Sequence, residues 1–356
     1  MKRRSIRVLL VLLLLPLLAF PVAGYWLYSH LERPLHLHED AVLEVDSGQS
    51  FSGMIRYMAE QGWLGEGAEQ DRRRLATRLY LLDSDLDRRL HAGEYRVRPG
   101  DSLTRVLERL ERGEVIQHRF TLVEGWTFRQ LRERLAAHPK LRSTLEDYSD
   151  KDIMERLERP DLHPEGWFSP TTYHFTRGTT DLDLLRRALA RQESILAEAW
   201  EQRDAGLPLE DAYEALILAS IVERETGVPE ERSRIAGVFV RRLEENMRLQ
   251  TDPTVIYGMG EDYDGRIRTR DLRRHTPWNT YVIHGLPPTP IAMPGKEAIQ
   301  ATVRPERTEA LFFVARGDGT HHFSATLEEH EEAVRRYQLN RREDYRSTPL
   351  PLPEEP

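Results

Sequence analysis

The chain has 356 residues, no cysteine, and 59 acidic against 51 basic residues, for a net charge of −8. That length can hold two domains with real cores. The acidic balance offers no electrostatic footprint for nucleic acid, and the lack of cysteine excludes disulfides, thiolate catalysis and thiolate-bound metals.

The N-terminus carries Lys2, Arg3, Arg4 and Arg7 ahead of an uncharged stretch from Val8 to Tyr28. As a helix this stretch runs roughly 31 Å, enough to span a bilayer. Trp26 and Tyr28 stand at its far boundary, where aromatic belts form. Pro16 and Pro21 would kink it. A cleaved signal peptide fits less well, because a cut after Ala23 would need a small residue where Pro21 stands. The expectation is a basic cytoplasmic tail (1–7), a single transmembrane helix (8–28) and an extracytoplasmic remainder. Residues 29–40 form a polar stalk. Its His36 and His38 lack a third ligand and read as linker.

From residue 41 to 118 short strands alternate with amphipathic helices. Val97-Arg-Pro-Gly-Asp-Ser-Leu opens a helix with Asp101 or Ser102 as N-cap. Leu103, Val106, Leu107 and Leu110 then share one face. Val45-Asp-Ser-Gly-Gln-Ser-Phe, followed by Met54, Ile55 and Met58, has the same grammar. This pattern resembles LysM modules, whose resemblance implies binding of N-acetylglucosamine-containing glycans; a generic capped α/β module remains the competing reading. Leu122-Val-Glu-Gly-Trp-Thr-Phe repeats the pattern at another spacing, so no solenoid is expected. Asp83-Ser-Asp-Leu-Asp resembles the start of a calcium loop, with Glu94 at the twelfth position, but Arg88 occupies the sixth, which requires glycine. It reads as a solvated linker.

From residue 119 to 345 a mixed α+β domain is expected. Charged amphipathic helices run over Glu124–Ala137 and Asp181–Asp204, with an aromatic, turn-rich segment from Glu165 to Phe175 between them. Leu209–Glu225 is a helix that is apolar all round, ended by Gly227 and Pro229. Arg232–Glu245 is helical. Residues 246–295 are mostly loop, and so long an aromatic-bearing loop reads as a binding surface. A strand over Leu311–Ala315, a turn at Gly317-Asp-Gly, a strand around Phe323 and a helix over Leu327–Asn340 follow. The tail, residues 346–356, is rich in Pro and Glu and is expected to be disordered.

The apolar helix ends in two carboxylates, Glu223 and Glu225. Helical side chains lean over residues i−3 and i−4. Beneath Glu223 these are Ser220 and Ala219, which leave room for a substrate atom. Beneath Glu225 they are the bulky Val222 and Ile221. Glu223 is therefore the candidate general acid, partly dry and with a raised pKa. Glu225 is expected to pair with an arginine or cap a loop.

Ala219-Ser-Ile-Val-Glu-Arg-Glu-Thr and Met247-Arg-Leu-Gln-Thr-Asp-Pro-Thr-Val-Ile-Tyr-Gly resemble the YceG-like family. So do Asn279-Thr-Tyr, Gly285-Leu-Pro-Pro-Thr-Pro-Ile, Phe313-Val-Ala-Arg-Gly-Asp-Gly-Thr-His-His-Phe-Ser and Glu329-His. Members of that family are endolytic murein transglycosylases. The resemblance implies a single-pass inner-membrane enzyme that cuts nascent peptidoglycan strands internally, associates with peptidoglycan synthases (penicillin-binding proteins) and uses Glu223 as its catalytic residue. One departure is Thr171, where the family usually carries Asp.

The chemistry implied is substrate-assisted. One glutamate protonates the leaving glycosidic oxygen and then accepts the proton of the muramic acid C6 hydroxyl, which closes a 1,6-anhydro ring. No water and no cofactor are consumed. Most glycosidases use two carboxylates instead. Gln250, Thr251, Asp252, Tyr257, Asn279 and Tyr281 are candidate sugar contacts, with loop-internal hydrogen bonding as the alternative for each. His321, His322 and His330 suggest no metal site: HExxH is absent, and adjacent strand residues face opposite ways. The rival function is a non-catalytic, peptidoglycan-binding scaffold for cell-wall synthases.

Overall fold

A computed structural model describes residues 19–46, 48–81 and 91–340. The basic tail, residues 8–18 of the expected membrane span, the Asp83–Asp87 run and the tail 346–356 lie outside them. Residues 19–31 are helical, and among the described residues no helix is long and apolar enough to cross a membrane.

The chain divides into two compact units, one of residues 1–118 with 174–178, the other of residues 119–173 with 179–356. In the first, strand β1 (Ala41–Val45) pairs antiparallel with β2 (Gly93–Val97). Leu43, Val45, Tyr95 and Val97 alternate onto the buried face, as the two-residue period of a strand requires. Helices α1 (Phe51–Glu60) and α2 (Gly67–Leu81) connect the strands, and α3 (Leu103–Arg112) follows β2. Ser50 and Ser102 cap α1 and α3, each hydroxyl accepting a backbone N–H one turn on. Of the two candidates for the second cap, Ser102 therefore holds the position. Asp101 instead receives the Arg98 amide and the Arg109 guanidinium. Leu103, Val106, Leu107 and Leu110 are all buried, so the apolar stripe packs as its spacing requires.

Strands β3 (His118–Thr121) and β4 (Thr172–Phe175) pair as a second ribbon. In the second unit the helices are α4 (Phe128–Ala136), α5 (Asp150–Arg156), α6 (Asp181–Glu201), α7 (Ala212–Glu225), α8 (Arg232–Glu244), α9 (Asp252–Met259), α10 (Thr269–Leu272) and α11 (Lys296–Val303). A hairpin of β5 (Phe312–Ala315) and β6 (His321–Ser324) and helix α12 (Leu327–Val334) follow. Helix α7 touches α6, α8, α9 and α11, and every residue from Ala215 to Val222 is buried. That environment explains why its sequence is apolar on every side: no face meets water.

Three expected elements differ. The helix read from Glu124 starts at Phe128, because Thr127 caps it in a reciprocal box with Gln130 and Gly125 takes a left-handed φ of 76°. The segment 246–295 is less irregular than expected. It contains α9 and α10, and α9 opens on Asp252-Pro253, where proline sits in the first turn and no N–H is missed. The closing helix is α-helical only to Val334 and continues as a π-helical turn over Arg335–Leu339.

Candidate active site

Helix α7 ends at Glu225, where Thr226 turns to extended backbone. Its last turn projects two carboxylates into a cleft of about 1060 Å³ in the second unit. The Glu223 side chain is only 6 % exposed. Its Oε2 accepts the backbone N–H of Gly295 at 2.9 Å, and Oε1 lies 3.8 Å from Arg232 Nη2. Burial pushes the carboxyl above its ordinary range. The Gly295 bond and Arg232 act against that shift, and the charge of Glu124 adds to it.

The room beneath Glu223 is used differently from the expectation. Ser220 and Ala219 are fully buried. Ser220 Oγ donates to Ile217 O at 2.7 Å and accepts the N–H of Ile291 at 2.9 Å. The small residues admit the 291–295 chain rather than a substrate atom, and that chain delivers the Gly295 amide to Glu223. The same segment is held from its other side. Gln192 Nε2 donates to Gly166 O and Pro294 O, and Met293 exchanges backbone bonds with Gly125 and Trp126.

Among the described residues Glu225 makes no ion pair within 4 Å. Its carboxylate accepts the Thr251 hydroxyl, which fits the loop-capping half of the expectation. Burial pushes it up to about 7, against the Thr251 bond and the charges of Arg242 and Arg224.

Of the six candidate sugar contacts, Gln250, Thr251, Asp252 and Tyr281 line the cleft with Glu223. Gln250 sits at φ 51°, a left-handed backbone that a non-glycine residue holds only under constraint; its N–H donates to Thr280 O. Tyr281 donates its hydroxyl to Asp252 Oδ1 at 2.7 Å. Tyr257 and Asn279 are not among the cleft's lining residues. Tyr257 donates to Glu165 Oε2 at 3.1 Å and packs edge-on against Trp278. Asn279 is buried, with Nδ2 donating to the carbonyls of Asp271, Leu272 and Arg274. For Asn279 the loop-internal reading describes the geometry, whereas Tyr257 bonds across 92 positions to a residue outside the segment.

Two carboxylates escaped the sequence reading. Glu124 stands 3.6 Å from the same Arg232 Nη2 that faces Glu223. Glu165 is buried, accepts the Phe128 N–H at 2.9 Å, and is pushed up to about 8 by burial. A signal was present: each begins a Glu-Gly-Trp tripeptide, and both glycines take positive φ. His321 is also organised. Glu231 accepts both its backbone N–H at 2.8 Å and its ring Nδ1–H at 2.7 Å, while His330 stacks on Phe312. Among the described residues no group of three or more His, Asp or Glu is placed to hold a metal ion.

The YceG-like family matches over residues 43–336. The chain belongs to that family. Over 263 residues it is 31 % identical to the endolytic murein transglycosylase of Bacillus subtilis (strain 168), covering 69 % of this chain and 72 % of that one. The protein of the same name from Streptococcus pneumoniae serotype 2 (strain D39 / NCTC 7466) is 27 % identical over 279 residues, 69 % of this chain and 50 % of the other. The crystal structure of a yceG-like protein from Listeria monocytogenes superposes with a TM-score of 0.52 at 26 % identity, over 83 % of this chain and 99 % of that one.

Proposed function

We propose that this chain is a peptidoglycan lytic transglycosylase that cleaves glycan strands internally, with Glu223 as acid and then base. The observation that carries the reading is the state of Glu223. It is a nearly buried carboxyl held by one backbone amide at the wall of a cleft of about 1060 Å³, in a chain whose relatives bear the name endolytic murein transglycosylase. Burial shifts this carboxyl toward its protonated form, the form that can donate.

Glu223 gives its proton to the glycosidic oxygen as the bond from that oxygen to C1 of the muramyl sugar breaks. The carboxylate left behind takes the proton of the C6 hydroxyl, and O6 bonds to C1. The ring closes as a 1,6-anhydro product, Glu223 ends protonated again, and no water is used. The Gly295 N–H keeps the carboxyl aimed through both halves. Gln250, Thr251, Asp252 and Tyr281 supply polar contacts along the cleft. We place the enzyme at the inner membrane, anchored by residues 8–28, with its catalytic unit on the periplasmic side. The unit of β1, β2 and α1–α3 is proposed to act as a LysM-like glycan contact, and peptidoglycan synthases as partners.

Glu223→Gln keeps the shape and removes the titration. Mass spectrometry of glycan strands treated with the wild type should show 1,6-anhydromuramyl ends, and with the variant a loss of about 10²- to 10⁴-fold. Anhydro ends made at the wild-type rate by Glu223→Gln would refute the assignment. Reducing ends carrying an added water would make the enzyme a hydrolase, and glycan binding with no new ends would make it a scaffold.

A further inference from the structure

Arg232 is a nearly buried guanidinium without a short bond to either neighbouring acid. Its side chain is 11 % exposed, its Nε finds no hydrogen-bond partner among the described residues, and its Nη2 stands 3.6 Å from Glu124 and 3.8 Å from Glu223. A charge-assisted pair would close to about 2.7–2.9 Å. The guanidinium is divided between two carboxylates and claimed by neither.

Glu124 is built into this position. The Gly125 N–H donates to Met293 O at 2.9 Å and the Met293 N–H to Trp126 O at 2.7 Å, which fixes the two residues that follow Glu124. Arg224 adds a bond to Gly125 O at 3.1 Å. Glu124 Oε1 then lies against Gly295: a Cβ built there would stand 2.2 Å from it. So Gly295 gives its N–H to one carboxylate and the space of its missing side chain to the other.

We propose that Glu124 is a positioning residue for Glu223: by facing the same Arg232 Nη2 it opposes a closed Arg232–Glu223 pair and so favours the acid form of Glu223 until a glycosidic oxygen reaches it. The inference rests on Glu223 being the acid. If Arg232 were free to settle on Glu223, the carboxylate form would be favoured and proton donation lost. The charges that bear on Glu223 are Arg232 of α8, Glu297 of α11 and Glu124 itself. Of these only Glu124 also meets Arg232 within 4 Å.

The test uses the full chain in detergent, with kcat and KM followed against pH on glycan strands. Glu124→Gln should move the limb on which activity falls with rising pH toward lower pH by about one unit, a roughly tenfold loss above it, with KM within about twofold. Glu124→Asp should restore part of the shift. Arg232→Met should move the limb the other way. A loss in Glu124→Gln that is uniform across pH, or no loss, overturns the proposal. A second measurement is independent of turnover: the ¹³C shift of the Glu223 side-chain carboxyl, assigned with Glu223→Gln and titrated in the same proteins. Its midpoint should fall in Glu124→Gln. An unchanged midpoint overturns the proposal, whereas absence of anhydro ends from the wild type would overturn the functional reading alone.

Discussion

The N–H of Gly295 donates to Glu223 Oε2 at 2.9 Å across 72 positions of sequence. This one bond ties the end of the buried helix to the loop that closes over it. A Cβ at residue 295 would stand 2.2 Å from Glu124 Oε1 and 2.7 Å from its carboxyl carbon, so any other residue there requires the Glu124 carboxylate to move. Gly295→Ala should therefore displace Glu124 or tilt the 291–295 chain while leaving the helical core alone. We expect at least a tenfold fall in anhydro-end formation with far-UV circular dichroism unchanged. Wild-type activity in this variant would mean that the bond does not aim the acid.

The clamp beneath the acid makes a stability prediction. Ser220 Oγ is the acceptor for the buried Ile291 N–H. Ser220→Ala removes it and leaves the amide without a partner, a cost of about 1–3 kcal/mol. Denaturant titration should show this loss at unchanged m-value, together with reduced activity, because Gly295 follows Ile291 by four residues. Ser220→Thr keeps the hydroxyl and should recover part of both.

The loop candidates divide into two groups with opposite signatures. Asp252 and Tyr281 line the cleft and bond to each other. Tyr281→Phe should raise KM for glycan strands roughly 3- to 10-fold with little change in melting temperature, as a rim contact worth about 1 kcal/mol would. Asn279 spends its amide on three carbonyls within its own loop. Asn279→Ala should instead lower the melting temperature by several degrees, and its effect on activity should follow the folded fraction. If Asn279→Ala raised KM in a fully folded protein, the residue would belong with the sugar contacts.

What the sequence made legible follows the range of the forces involved. The capped helices at Ser50 and Ser102 and the stripe from Leu103 to Leu110 depend on neighbours within one or two turns, and they stand as read. Helix α7 was legible because a segment apolar on every side has to be surrounded. Asn279 was not, because nothing local separates an amide spent on its own loop from one offered to a ligand. Nor does Glu124 reveal the arginine it shares, 108 positions away. Ser220 and Ala219 were read as space, and space is what they provide; the occupant, the chain at Ile291, is set by a contact 71 residues distant.

Glu165 gives a pH prediction whose sign can be worked out. Burial pushes its carboxyl up to about 8 from an ordinary 4.5, despite bonds from the Phe128 N–H and the Tyr257 hydroxyl. Between about pH 4.5 and 8 the folded protein keeps a proton that the unfolded chain releases. Stability therefore falls as pH rises through that window, by up to roughly 1.4 kcal/mol per pH unit from this group. It is flat from this source below and above the window. Glu225, raised to about 7, adds a similar slope over the lower part. Glu165→Gln supplies a neutral group of the same shape, its carbonyl accepting the Phe128 N–H and its amide donating to the Tyr257 hydroxyl oxygen. The variant should match the wild type near pH 4.5, exceed it at pH 8, and show a shallower decline of unfolding free energy between them. Parallel curves for the two proteins across pH 5–8 would mean that Glu165 is ionised in the folded state. Its bonds to Phe128 and Tyr257 would then be those of a buried carboxylate rather than of an acid that carries its own proton.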